Sequence, residues 1–290
     1  DGFFERVSAR LRQPASYALV ATLSASPVTT PGTLEILDDR SARGAGAVEL
    51  VVDVSGSMLE VMRGGATRID VAKKILAETV ARDIPAGTSV AVRVFGRVGG
   101  DACGTELRVP LGPAAAAQAA IAQIDAKKYA MTPIALALQA VADDLGSVTG
   151  DKTVVLITDG RETCGGDPRA VLQELQDKGL NVRVNVVGFA LTNAAIKRTF
   201  AALAETGGGQ FYDAADADGL ADVLGAAVRA GFVVRDASGA SIGSGVVGGA
   251  PVALPAGVYR VEVATQPPRV FEGVEVRDGE SSKLELSQGK

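Results

Sequence analysis

The sequence predicts an α/β fold, a doubly wound and mostly parallel six-stranded sheet, followed by a small all-β sandwich module. Three observations lead there. Short runs rich in Val, Ile and Leu, without polar alternation, recur between residues 48 and 229, as strands covered on both faces require. Helix-like stretches separate these runs, so most neighbouring strands are joined by crossovers. After residue 229 the helical pattern stops, and short β-type runs divided by turn residues replace it.

In order, strands are expected at residues 48–53, 89–95, 106–111, 153–157, 182–188 and 210–212, with helices at 68–82, 114–126, 133–145, 168–178, 193–205 and 219–229. Asp167-Pro168 puts an N-cap residue before a first-turn proline, and Thr132-Pro133 has the same form. The glycine-rich stretch 97–105 leaves no room for a helix, so 106–111 is expected as an antiparallel edge strand. Further strands are expected at 232–235, 241–247, 252–254, 258–264, 270–277 and 283–286. Turn chemistry at Ser238-Gly239, Pro255-Ala256-Gly257, Pro267-Pro268 and Asp278-Gly279 separates them. Tyr259, Val261 and Val263 alternate with Arg260 and Glu262, which gives one apolar and one wet face. This segment of about 60 residues lies near the lower size limit for folding alone. Residues 1–46 offer a short helix at 6–12 and strands at 17–24 and 32–37. Two arrangements remain open: these strands join the C-terminal ones with the α/β domain inserted between, or they form a separate appendage. The expected division is 1–46, 47–229 and 230–290.

Composition narrows the chemistry. Of 290 residues, 47% are hydrophobic and 22% charged, as in ordinary soluble domains. The net charge of −5 argues against nucleic acid, which needs a basic surface. The longest apolar runs, such as 153–157, are too short to span a bilayer. The chain begins at Asp1 without Met and reads as a processed product that has shed its targeting segment. Histidine is absent, which excludes Ser-His-Asp and Cys-His catalysis and His-ligated zinc. Any metal must rest on oxygen atoms or on the two cysteines, and oxygen donors select Mg2+, Ca2+ or Mn2+.

One constellation supplies such donors. The first buried strand ends in Asp53-Val54-Ser55-Gly56-Ser57, where a carboxylate and two hydroxyls crowd a tight turn. A later apolar strand ends Ile157-Thr158-Asp159-Gly160, and Met131-Thr132-Pro133 adds a hydroxyl where a loop enters a helix. Carboxyl ends of parallel strands are where open α/β sheets place their ligand sites. Any one of these residues alone has a plainer role as a turn or capping residue. Together they form an oxygen shell suited to near-octahedral Mg2+, with one corner left for an outside oxygen.

In order and context, Asp53-x-Ser55-x-Ser57, Thr132 and Asp159 resemble the metal-ion-dependent adhesion site (MIDAS) of von Willebrand factor A domains, which include the integrin I domains. The resemblance covers roughly residues 46–229. It implies that Ser55, Ser57 and Thr132 touch the metal, with Asp53 and Asp159 bound directly or through water. It also implies a protein partner that presents an Asp or Glu carboxylate. Family members often carry glycine two residues before the threonine, where this chain has Ala130.

Cys103 and Cys164 fall in loops expected at the same sheet edge, so a disulfide around the site is expected, with two free thiols as the other possibility. The run Thr163-Cys164-Gly165-Gly166-Asp167-Pro168 resembles that of bacterial cell-envelope members of the family, which implies a periplasmic, envelope or secreted protein. Asp213 to Gly219 superficially suggests a calcium loop but lacks the closing Glu, and helix capping by Asp216 or Asp218 is expected instead. The resemblance further suggests that the helix at 219–229 relays site occupancy to the β module. The expected function is metal-dependent protein binding without catalysis. Alternatives are a cytosolic partner of an AAA-type ATPase and, more remotely, a metal-dependent hydrolase, for which no general base is evident.

Overall fold

The computed structural model describes residues 30–37, 46–84, 87–265 and 268–286. The expected helix at 6–12 and strand at 17–24 lie outside them. In chain order the elements are β1 (Gly32–Leu37), β2 (Ala47–Asp53), α1 (Arg68–Arg82), β3 (Ser89–Val98), β4 (Asp101–Pro113), α2 (Ala114–Ile121) and α3 (Ile134–Leu145). There follow β5 (Lys152–Thr158), α4 (Pro168–Asp177), β6 (Arg183–Phe189), α5 (Ala194–Thr206), β7 (Phe211–Ala214) and α6 (Ala217–Ala227). The chain then continues through β8 (Gly231–Arg235), β9 (Ser241–Val246), β10 (Val252–Leu254), β11 (Gly257–Val263), β12 (Arg269–Val276) and β13 (Ser281–Glu285).

The main sheet has the order β4-β3-β2-β5-β6-β7. Its pairings are parallel except for β3 with β4. Every residue of β2 is buried, because helices cover both faces. Val48, Leu50 and Val52 pack with Leu76 of α1 and Leu224 of α6 on one side. Ala47 and Val51 pack with Leu138 of α3 and Leu172 of α4 on the other. That two-sided burial is why the strand is rich in Val and Leu without polar alternation, Glu49 apart.

Two expectations need correction. Residues 97–105 are not a loop: β3 runs to Val98, β4 begins at Asp101, and Gly99-Gly100 makes the turn with φ of 58° and 97°. Two successive left-handed residues suit a tight hairpin, so glycines that read as loop material in fact extend the edge strand. Thr132 does not cap α3. Pro133 holds that position without a side-chain bond, and Glu162 Oε2 instead accepts from the Ala135 amide at 2.8 Å. By contrast, Asp167 and Asp216 cap α4 and α6 with their side chains.

Beyond α6, two small sheets, β12-β11-β8-β9 and β10-β1-β13, enclose one core that includes Leu34, Ile36, Phe232, Val234 and Val261. β1 pairs antiparallel with β10 and parallel with β13, so the strand preceding the α/β domain is built into the sheets that follow it. The junction is polar. Arg183, the first residue of β6, donates to the Ala264 carbonyl, and Arg229 bonds Asp83 at 2.8 Å and the Gly248 carbonyl at 3.0 Å. Among the described residues, no helix is long and apolar enough to cross a membrane.

One buried acid interrupts β2. Glu49 lies beside Arg93, whose guanidinium is already held by Asp144 at 2.6–2.7 Å and by Thr105 at 3.2 Å. Arg93 Nε comes no nearer than 3.4 Å to Glu49, and neither carboxylate oxygen has a hydrogen-bond partner. Burial, and next the neighbouring Asp144, push the Glu49 pKa up to about 9, so it is a neutral acid at pH 7. Below about pH 4.5 both folded and unfolded chains carry this proton. Between there and about pH 9 only the folded chain does, so stability falls as pH rises through that window. Glu49→Gln is therefore predicted to gain on the order of 2–3 kcal/mol at pH 7 and to flatten the profile. Urea unfolding at pH 5, 7 and 8.5 checks this; a variant profile as steep as the parent's would refute it.

Candidate metal site

The site is assembled by strand register. β2 and β5 run parallel with Val52 beside Ile157, which brings Asp53 level with Thr158 at the carboxyl edge. Asp53 is completely buried. One carboxylate oxygen accepts from the Ser55 amide at 2.7 Å and the other from the Thr158 hydroxyl at 2.6 Å. The first bond bends the chain out of the strand, as aspartate does in tight turns. The turn then continues as a 3-10 helix, Gly56–Leu59, anchored by the fully buried Met58.

That bend brings Ser57 to the carboxylate at the end of the next strand, with Ser55 beside it. Ser55 Oγ lies 3.1 Å from Ser57 Oγ, and Ser57 Oγ donates to Asp159 Oδ1 at 2.6 Å. Thr132 closes the group: a Cβ built on Gly160 would stand 3.9 Å from both Ser57 Oγ and Thr132 Oγ1. The structure thus gathers Asp53, Ser55, Ser57, Thr132 and Asp159 at one edge of the sheet. Among the described residues, no three His, Cys, Asp or Glu side chains converge, so a metal held here would depend on the hydroxyls as well as the two carboxylates.

The electrostatics favour a cation. Burial, and next the charge of Asp159, raise the Asp53 pKa to about 7, while bonds from Ser55 and Thr158 pull it back. Two carboxylates are thus held close in a dry corner at a cost that a divalent ion would relieve. Hydroxyls and carboxylates are hard donors, which fits Mg2+, Ca2+ or Mn2+.

Several neighbours carried no signal in the pattern of site residues. Thr163 Oγ1 accepts from the Thr132 amide at 2.7 Å, and Glu162 Oε2 accepts from the Ala135 amide in the first turn of α3. Gly96 of β3 passes so close that a Cβ would meet Val54 and the Ser55 amide at 3.1–3.2 Å, and its φ of 141° disfavours any other residue. Arg68 pairs with Asp159 Oδ2 at 2.7 Å. A cation as the first residue of a helix is electrostatically out of place, and that is the sequence clue it offered.

A family model for the von Willebrand factor type A domain matches residues 48–226. The chain belongs to that family. The protein is 35% identical over 184 residues to the uncharacterized protein YwmD of Bacillus subtilis, covering 59% of this chain and 80% of YwmD. Among solved structures, this von Willebrand domain protein is similar in fold to the pilus adhesin SpaC of Lactobacillus rhamnosus GG in its open conformation. There the TM-score is 0.53 at 15% identity, over 82% of this chain and 43% of SpaC. It is also similar to proximal thread matrix protein 1 from the mussel byssus with a zinc-occupied MIDAS motif. That match has a TM-score of 0.51 at 19% identity, over 64% of this chain and 45% of the mussel chain.

The rim of the domain is laced together. Cys103 of β4 and Cys164, in the loop after β5, form a disulfide across 61 residues. The Met131 amide donates to the Ala102 carbonyl at 2.9 Å, and the Gly56 amide to the Ala130 carbonyl at 3.2 Å, so three loops hold one another. Tyr129, 85% exposed, sits there at a φ of 60°, a strained conformation for a bulky residue. Replacing both cysteines by alanine should cost about 4 kcal/mol by the chain-entropy argument. Urea denaturation of the double variant measures it, and a loss below about 1 kcal/mol would show that the rim holds without the covalent tie.

Proposed function

We propose that this protein is a metal-ion-dependent protein-binding module that grips an Asp or Glu carboxylate on a partner and catalyses no reaction. The observation that carries this reading is the convergence of three hydroxyls and two buried carboxylates at the carboxyl edge of the sheet. Ser55, Ser57 and Thr132 would hold the ion directly, with Asp53 and Asp159 bound to it directly or through water. Mg2+ is the first candidate, with Mn2+ and Ca2+ as the other hard cations the donors accept. When bound, the metal supplies an electrophilic corner for an outside carboxylate oxygen. The chain's own contribution is to bury the donors, orient them and keep the shell short of anionic saturation. That a byssus protein of similar fold carries zinc at its MIDAS, and that SpaC is a pilus adhesin, agree with this reading.

The proposal extends to organisation and place. Residues 47–229 are taken as the binding domain, 230–290 as a β module that serves as spacer or second contact surface, and 1–46 as a segment contributing strand β1 to it. The disulfide favours an oxidising setting, namely the periplasm, the cell envelope or the exterior, and counts against a cytosolic partner of an AAA-type ATPase.

Titration with Mg2+ or Mn2+ tests the reading. An ion that binds the folded chain alone adds about 2.7 kcal/mol of stability at a hundredfold excess over its Kd, seen as a rise in Tm. Asp53→Ala should abolish that rise. If the parent's Tm ignores both ions, the metal site does not exist as proposed.

A further inference from the structure

We propose that Arg68 is a built-in counter-cation of the site, which spends part of the Asp159 charge and thereby sets how tightly the metal is held. The proposal rests on the metal-binding reading above. The two oxygens of Asp159 face different partners: Oδ1 accepts from Ser57 at 2.6 Å within the hydroxyl cluster, and Oδ2 accepts from Arg68 Nη1 at 2.7 Å. The Asp159 side chain has no exposure to solvent, so this ion pair is only weakly screened.

Arg68 is fixed there by its surroundings. It opens α1, where the helix end itself is positive and a cation is disfavoured, so its position is maintained by other contacts. Thr67 caps the helix, Ile69 and Ala72 bury its first turn, and the Arg68 amide donates to the Glu60 carbonyl at 3.0 Å. The second guanidinium nitrogen, Nη2, bonds Glu60 Oε2 at 2.6 Å. Glu60 is in the segment that follows the serines, so one side chain links the hydroxyl turn, the helix start and the second carboxylate.

A divalent ion at the hydroxyl cluster would meet an Asp53 carboxyl shared only by neutral donors but just the remainder of the charge of Asp159, and would also feel the guanidinium nearby. The metal is therefore held more weakly than two free aspartates would hold it. The same deficit leaves the ion more electron-poor and readier to take a carboxylate from outside.

The test is calorimetric titration of the full chain with MnCl2, together with Tm measured with and without the ion, for the parent, Arg68→Gln and Arg68→Lys. Arg68→Gln should lower the Mn2+ Kd about tenfold or more, since a nearby positive charge in a poorly screened corner is removed. Without metal its Tm should fall, because Asp159 loses its partner, and saturating Mn2+ should close most of that gap. Arg68→Lys, which keeps the charge, should stay within about threefold of the parent. Binding by Arg68→Gln that equals or falls below the parent's would overturn the proposal while leaving the metal site standing. No Mn2+ binding by the parent or either variant would overturn both readings.

Discussion

Burial of Asp53 at the end of a strand that is wholly buried is the constraint to which the surrounding structure responds. A carboxylate stripped of water is expensive unless every lone pair finds a donor or a cation. The Ser55 amide answers one oxygen and the Thr158 hydroxyl the other. The Ser55 bond turns the chain out of the strand, bringing Ser57 onto Asp159 and Ser55 beside Ser57. Thr158 is in place because β5 lies in register with β2, so sheet pairing and site geometry are one fact. Gly96 belongs to the same account, since only a residue without a side chain lets β3 pass beside the Asp53 turn.

Much of this was legible in the sequence, and the reasons are specific. The Val- and Leu-rich run ending at Asp53, broken only by Glu49, announced a two-sided strand, and β2 is such a strand. The later run ending at Thr158-Asp159 announced its parallel neighbour, and topology alone then put both aspartates at one edge. Arg68, Glu162 and Thr163 were not legible as members of the site, because each acts through a contact between distant segments that no local period records. The 97–105 stretch misled for a different reason. Gly99 and Gly100 are consistent both with an irregular loop and with a two-residue hairpin turn, and only the pairing of the flanking residues with β3 separates the two.

Glu49 and Asp53 offer an instructive contrast. Both are acids of β2, four residues apart, and both are fully buried. Asp53 accepts from an amide and a hydroxyl and feels the charge of Asp159 beside a donor cluster. Glu49 is beside a guanidinium already committed to Asp144, and keeps its proton instead. Burial alone therefore does not make a candidate ligand; the arrangement of donors around the acid does.

The guanidinium struts of Arg183 and Arg229 have a mechanical corollary. Arg183 begins β6, so the β module is fastened at the amino edge of the sheet, while the oxygen cluster occupies the carboxyl edge. Strands of seven residues separate the two edges by about 20 Å, at the usual rise per residue. A load applied at the oxygen cluster would run lengthwise along the central strands to the polar contacts of Arg183 and Arg229 at the opposite edge.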